Sequence, residues 1–404
     1  MIDAIKLLIV FVAIIVALNR RLELGGVLIA GAVALGFLYG FSPEQVAVNV
    51  WQAASATDTL RLVAIVICIW TLNEMLSAAR LREPMVRSLL ELFSDARVVL
   101  AVIPALIGLL PMPGGAMFSA PLVDEVGENA GLTNNQKAYV NYWFRHLWEY
   151  TVPLYPALIL CATLLAVPVS TLTRHQWPLT LAAIVGGAIV VRARFPKNGR
   201  LMAPTSRRTS LLTLGRSIWP VVLIILLTMF VEVDLLISLP LVILLLILVE
   251  RPSRGQTLGA LRKGLDWHIA LVLFGAMIFK QILETSGAVE QISATLAASG
   301  IPALGMVSAI PFIVGFATGM TSAAYSIAVP VILPFLQRSG ELYLPYTLAM
   351  YAGGLSGLML SPVHLCLILT KDFFRADWRK IIAPTLFGQS IVMATALILS
   401  LVGF

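Results

Sequence analysis

Residues 141–156 read NYWFRHLWEYTVPLYP and set a guanidinium, an imidazole and a carboxyl, Arg145, His146 and Glu149, just ahead of Pro153 and Pro156. Residues 357–370 read GLMLSPVHLCLILT and place Ser361 and His364 around Pro362 in a similar relation to a break. The flanking sequence is apolar in both cases. Ionisable groups inside apolar helices are costly to keep, and by default they mark solute, ion or proton sites. Arg145 suits an anionic group, Glu149 suits a proton or a cation, and prolines free backbone carbonyls that a small cation can use. A simpler reading stands beside this one. Arg145 and Glu149 are four apart, so they share a helix face and can satisfy each other as an internal ion pair. His146, about 100° further round the helix, then faces another helix.

Two more stretches must turn. Residues 109–121, LLPMPGGAMFSAP, cannot continue as one helix through Pro111, Pro113, Gly114 and Gly115, so the chain enters an apolar layer, reverses and returns. Residues 319–330, GMTSAAYSIAVP, do the same with small residues at the turn. Helix N-termini at such tips offer free amides and partial positive charge. The substrate-binding candidates are therefore Pro113, Gly114, Gly115, Thr321 and Ser322 at the tips, with Arg145, Glu149, Ser361 and His364 at the breaks. Glu149, Thr318 and Ser326 are the ion-coupling candidates. Hydroxyls in apolar helices often bond only their own backbone, which is the competing reading for the threonines and serines. Lys280, in FGAMIFKQILE, is a further intramembrane amine unless it snorkels to the interface, and Asp124 and Glu125 read as solvated charges at a hairpin end.

The elements that must position these groups follow from composition. Of 404 residues 59% are hydrophobic and 12% charged, with mean hydropathy +0.92, far from the quarter or so of charged residues usual in soluble domains. This is an all-α polytopic membrane protein. The net charge of +7 lies mostly in short segments between apolar runs, the pattern of positive-inside topology rather than of nucleic-acid binding. Cys68, Cys161 and Cys366 all fall in apolar runs without CxxC spacing and read as buried thiols, and the four histidines have no metal-ligand spacing. HExxH, P-loop and GxSxG motifs are absent, so an enzyme is not indicated. An intramembrane hydrolase built on Ser361 and His364 lacks an evident third partner.

In chain order, spans are expected at residues 2–18, 24–39, 60–79 and 179–191, with a surface helix at 43–59, an amphipathic helix at 81–96, a hairpin at 98–123 and a long run at 138–167 broken by Pro153 and Pro156. The first segment has no basic leader and is kept as a span rather than a removed signal. Residues 193–216 are a linker rich in arginine without an acidic residue, and therefore cytoplasmic. The second half repeats the order, with spans at 218–230, 239–249, 269–283 and 382–402, a hairpin at 303–336 and a broken span at 346–369. A shift of 209 residues lays Pro121 on Pro330, Gly131 on Gly340, Tyr142 on Tyr351 and Pro153 on Pro362. Five crossings per half make the second half inverted relative to the first, with its hairpin entering from the opposite face and both termini outside.

The motifs PMPGGAMFSAPLVDE, NYWFRHLWEYTVPLYP, GMTSAAYSIAVP and GLMLSPVHLCLILT resemble an uncharacterised prokaryotic membrane family, a domain of unknown function. That family is grouped with the ion transporter superfamily of divalent-anion, citrate, gluconate and lactate permeases. The resemblance implies two inverted-topology repeats, each of five transmembrane helices and one re-entrant hairpin, in a homodimeric elevator in the cytoplasmic membrane. Residues 1–97 and 217–300 would be scaffold, and 98–192 and 301–404 would be the hairpin and transport parts. It also implies a symporter that binds a small anion between the hairpin tips, with Na+ or H+ beside it, no nucleic acid and no cofactor beyond a coupling ion. Dicarboxylate members carry Ser-Asn-Thr tips, whereas PMPGG and MTSAA stand here, so a dicarboxylate and the usual sodium ligands do not carry over. A cation/proton antiporter using Glu149 is the alternative.

Overall fold

The computed structural model describes residues 2–93, 95–110, 115–196, 207–298 and 300–404. The first half consists of α1 (Ile2–Asn19), α2 (Leu24–Leu38), α3 (Pro43–Ser55), α4 (Thr57–Ala78), α5 (Arg82–Leu92), α6 (Ala96–Gly108), α7 (Ala116–Asn129), α8 (Asn134–Arg145), α9 (Pro156–Leu164) and α10 (Val169–Arg194). The second consists of α11 (Arg207–Met229), α12 (Leu235–Glu250), α13 (Arg254–Gly264), α14 (Trp267–Thr285), α15 (Ala288–Ala298), α16 (Ala303–Thr318), α17 (Thr321–Ile332), α18 (Leu344–Leu360), α19 (Leu365–Phe374) and α20 (Trp378–Val402). A two-residue ribbon, β1 (Gln337–Arg338) against β2 (Glu341–Leu342), joins α17 to α18. The starts of α9 and α19 lie 209 residues apart, as do those of α10 and α20.

Among the described residues six helices are long and apolar enough to cross a membrane, α4, α10 and α20 among them. Large apolar side chains such as Leu244, Leu248 and Leu401 lie exposed on the outer surface, which fits a multi-pass membrane protein whose outer faces meet lipid. Most of the expected elements are present, with shifted ends. Helix α10 begins at Val169, ten residues before the expected start, because the Pro178 ring is accommodated inside it. The long run at 138–167 breaks earlier than its prolines, since α8 stops at Arg145 and a 3-10 turn over Leu147–Tyr150 follows. Of the expected linker 193–216, residues 197–206 lie outside the described residues, while its start belongs to α10 and its last ten residues to α11.

Local sequence explains the starts and stops. Helix α8 begins with a capping box in which Thr133 and Gln136 satisfy each other's backbone amides. Helix α18 ends where Ser361, held extended at φ −72° and ψ 127° by the proline that follows, cannot stay helical. Tyr155, before Pro156, is extended for the same reason, at φ −80° and ψ 119°. Helix α16 stops at Gly319, whose φ of +67° is the left-handed conformation that glycine adopts without a steric penalty.

The packing is grouped. Helix α14 lies on α2 and α3, α4 on α12 and α13, and α5 on α11. The hairpin and broken helices pack among themselves: α6 on α7 and α8, α16 on α17 and α18, α19 on α7 and α8, and α20 on α8, α10 and α18. Helices α16 and α18 approach closely enough that a Cβ on Gly353 would strike the Ser308 carbonyl and one on Gly357 the Phe312 carbonyl. Small residues four apart permit this kind of contact, which gives van der Waals packing where no water remains to be expelled.

Candidate functional site

The two interrupted segments meet. His146 caps the C-terminal end of α8, and His364 precedes α19, yet their Nε2 atoms lie 3.2 Å apart in the buried centre. Glu149, on the 3-10 turn, has its Oε1 3.8 Å from His146 Nε2. Cys366, in the first turn of α19, brings a thiol close enough that one ligand atom from each of His146, His364 and Cys366 lies within 4.8 Å of the others. Arg145, His146, Glu149, His364 and Cys366 are all buried. Tyr142 packs its ring against both imidazoles, with centroids 5.0 Å from His146 and 5.9 Å from His364.

Each break is gripped by the helix that precedes its hairpin tip. In the first half the Trp148 indole donates to the Ala105 carbonyl at 2.8 Å and the Tyr155 hydroxyl to the Gly108 carbonyl, both on α6. In the second, the Ser361 hydroxyl donates to the Phe316 carbonyl at 2.6 Å, and His364 Nδ1 lies 2.9 Å from the Gly319 carbonyl. The halves are also cross-linked. The Tyr142 hydroxyl donates to the Met359 carbonyl at 2.9 Å, and the Tyr351 hydroxyl donates to the Glu149 carbonyl at 2.8 Å. Buried carbonyls released by a broken helix need such partners, because an unpaired one costs about 1–3 kcal/mol.

The sequence candidates sort accordingly. Arg145, Glu149, Ser361 and His364 come together at the junction. Helix α8 ends at Arg145 and the chain tightens into a 3-10 turn, which sets the Glu149 carboxylate beside His146. His146 does face another segment, the one leading into α19. Pro113 and Gly114 lie outside the described residues, while Gly115 is buried at the start of α7. Thr321 and Ser322 open α17, half-buried. The Thr318 and Ser326 hydroxyls donate to their own helix backbone, at Val314 and Ser322, which leaves their oxygens with lone pairs to offer. The Ser361 hydroxyl points at Phe316 rather than at His364, which is not the geometry of a nucleophile and its base.

Outside this centre, Lys280 Nζ lies 3.8 Å from Glu284 on the next turn and is partly exposed. Asp124 is more than a solvated charge, for it receives the buried Lys137 amine at 2.6 Å. A cavity of about 380 Å³ opens between α4, α9 and α12, with Asp58, Arg61, Thr163, Ser170, Glu232 and Asp234 on its wall. Arg61 and Asp234 form an ion pair there. Sequence reasoning passed over Cys366 and gave His146 no role in the site. The signal was present in a weak form: two histidines and a cysteine, each within a few residues of a proline-linked break.

No curated protein matches the chain. Among solved structures it is similar to that of the Alcanivorax borkumensis YdaH transporter, described as having an unusual topology, with 14% identity, a TM-score of 0.60, and 91% of this chain and 88% of that chain covered. At that identity the likeness is one of fold. The model of a family described as "Protein of unknown function (DUF401)" matches residues 4–402, and the chain belongs to that family.

Proposed function

We propose that the protein is a secondary active transporter that moves a small, carboxylate-type anion by elevator-type alternating access, coupled to Na+ or H+. The observation that carries this reading is the junction of two broken helices, where Arg145, His146, Glu149 and His364 are buried together in a chain otherwise built of apolar helices. Irregular backbone at that depth is tolerated where it lines a cavity or binds something. Arg145 provides the charge for an anion, and Glu149 is the coupling carboxylate. The grouped packing supports a division into scaffold (1–97 and 217–300) and transport parts (98–192 and 301–404), with the cavity beside Asp58 and Asp234 at the seam. The 209-residue spacing of α9 and α10 from α19 and α20 supports two repeats, and five crossings in each would invert the second. In this reading the protein is a homodimer in the cytoplasmic membrane with the linker 193–216 inside. The likeness to the YdaH transporter fold is consistent with it.

The test is thermal stability of the purified protein against a panel of small carboxylates, each with and without Na+, at acid and neutral pH. Ligand at about 100 times its Kd adds about 2.7 kcal/mol to the folded state, which raises the melting temperature. A carboxylate whose shift depends on Na+ or pH, and weakens in Arg145→Lys, is the expected result. Shifts from cations or pH alone, with every anion silent, would replace this reading with cation/proton antiport through Glu149.

A further inference from the structure

We propose that His146, His364 and Cys366, with Glu149 beside them, form a site for a Zn2+-type metal ion that ties the two helix breaks together. The argument begins with hydrogen placement. His146 Nδ1 lies 2.6 Å from the Tyr142 carbonyl and His364 Nδ1 lies 2.9 Å from the Gly319 carbonyl. A carbonyl only accepts, so each Nδ1 carries the hydrogen. In neutral rings both Nε2 atoms then present lone pairs, and these face each other at 3.2 Å. Two lone pairs in the protein centre repel unless a positive species lies between them, and that species is either a shared proton or a metal ion.

The remaining donors select the metal. Tetrahedral coordination with Zn–N bonds near 2.05 Å sets two ligand nitrogens about 3.3 Å apart, close to the separation here. The Cys366 sulfur lies within 4.8 Å of a ring nitrogen of each histidine, and Glu149 Oε1 lies 3.8 Å from His146 Nε2, within reach of the fourth position. Two imidazoles, a thiolate and a carboxylate are a set of donors suited to Zn2+. Carbonyls that hold Nδ1–H and aim Nε2 are the outer partners typical of metal-bound histidine. Binding replaces the thiol proton, which leaves to water, while the imidazoles coordinate as neutral bases. The ligands come from segments 218 positions apart, so no local spacing reveals them.

The inference is read without transport, so it can fail while the transport reading stands. Full-length protein in detergent is stripped with a chelator, desalted and titrated with Co2+ as the spectroscopic substitute for Zn2+. The expected result is one Co2+ per chain with a near-ultraviolet thiolate-to-cobalt band in the wild type. The band is absent in Cys366→Ala and retained in Cys161→Ala, and Zn2+ displaces it and raises the melting temperature. Absence of metal uptake by the wild type would overturn the proposal whatever the variants do. So would a band that survives Cys366→Ala, or a melting temperature that follows pH but ignores Zn2+ and Co2+, the signature of a shared proton.

Discussion

Replacing Gly319 by alanine probes the contact between the second hairpin tip and the helix break. Gly319 sits at φ +67°, and a Cβ there would lie 2.9 Å from the His364 nitrogen and 3.0 Å from its Cα. The left-handed conformation costs an alanine about 1–2 kcal/mol. The overlap adds about 1–3 kcal/mol, because the opposing atoms are backbone and relief requires the tip to withdraw by about 0.5 Å. Withdrawal of that size would stretch the 2.9 Å bond from His364 Nδ1 to the Gly319 carbonyl beyond the usual range. Gly131→Ala is the matched control, since Gly131 has φ +71° but no atom within 4 Å of the added Cβ, and it bears only the conformational cost. The difference between the two variants, about 1–3 kcal/mol or 5–150-fold in an equilibrium constant, isolates the tip contact. Unfolding in detergent followed by intrinsic fluorescence measures it, and the ligand-induced shift of each variant shows whether the site goes with it. If Gly319→Ala were no less stable than Gly131→Ala and bound ligand equally well, the tip would not be positioning His364.

Gly357→Leu drives a branched side chain into the Phe312 carbonyl and the backbone of α16, so the hairpin should lose its seat on α18, with a marked fall in melting temperature and in folded yield by size-exclusion chromatography. Tyr142→Phe removes the donor to the buried Met359 carbonyl and should cost about 1–3 kcal/mol in the same unfolding assay, without abolishing the fold. Glu149→Gln keeps the shape of the side chain and removes its charge, and in proteoliposomes it should reduce ion-coupled uptake by about tenfold or more while counterflow of the solute persists. Loss of both in equal measure would make Glu149 a structural residue.

The apolar runs and their breaks were legible because the sequence writes them in residues with one physical meaning. Proline at 153, 156 and 362 and glycine at 319 lie at the two broken regions, where Pro156 opens α9 and Gly319 closes α16. The position of the first break was less legible. Helix α8 ends eight residues before Pro153, because the tightening at His146 depends on what Trp148 and Tyr155 reach on α6. Ends of helices set by tertiary hydrogen bonds leave no local pattern. The same limit hid Cys366, which as an isolated thiol in an apolar run looks like packing until α19 is laid against α8. Helical spacing was a weaker guide here, since the i to i+4 relation of Arg145 and Glu149 assumes a helix that continues, and α8 ends at Arg145.

The cross-linking tyrosines bear on how the junction can move. Tyr142 and Tyr351 are 209 residues apart, and each reaches a carbonyl at the break of the other half, Met359 and Glu149 respectively. Tyr351 is itself held by a ring stacked 4.7 Å away, that of Tyr325 on α17, whose hydroxyl donates to the Tyr351 carbonyl. Separating the two breaks would therefore expose two buried carbonyls and two phenol hydroxyls at once, at about 1–3 kcal/mol for each group left unpaired. Sliding the scaffold helices past α9 and α17 breaks none of these three hydrogen bonds. Motion that keeps the broken helices together and shifts them as one body is thus the less costly one, which is the physical argument for the elevator proposed above over a rocking of one half against the other.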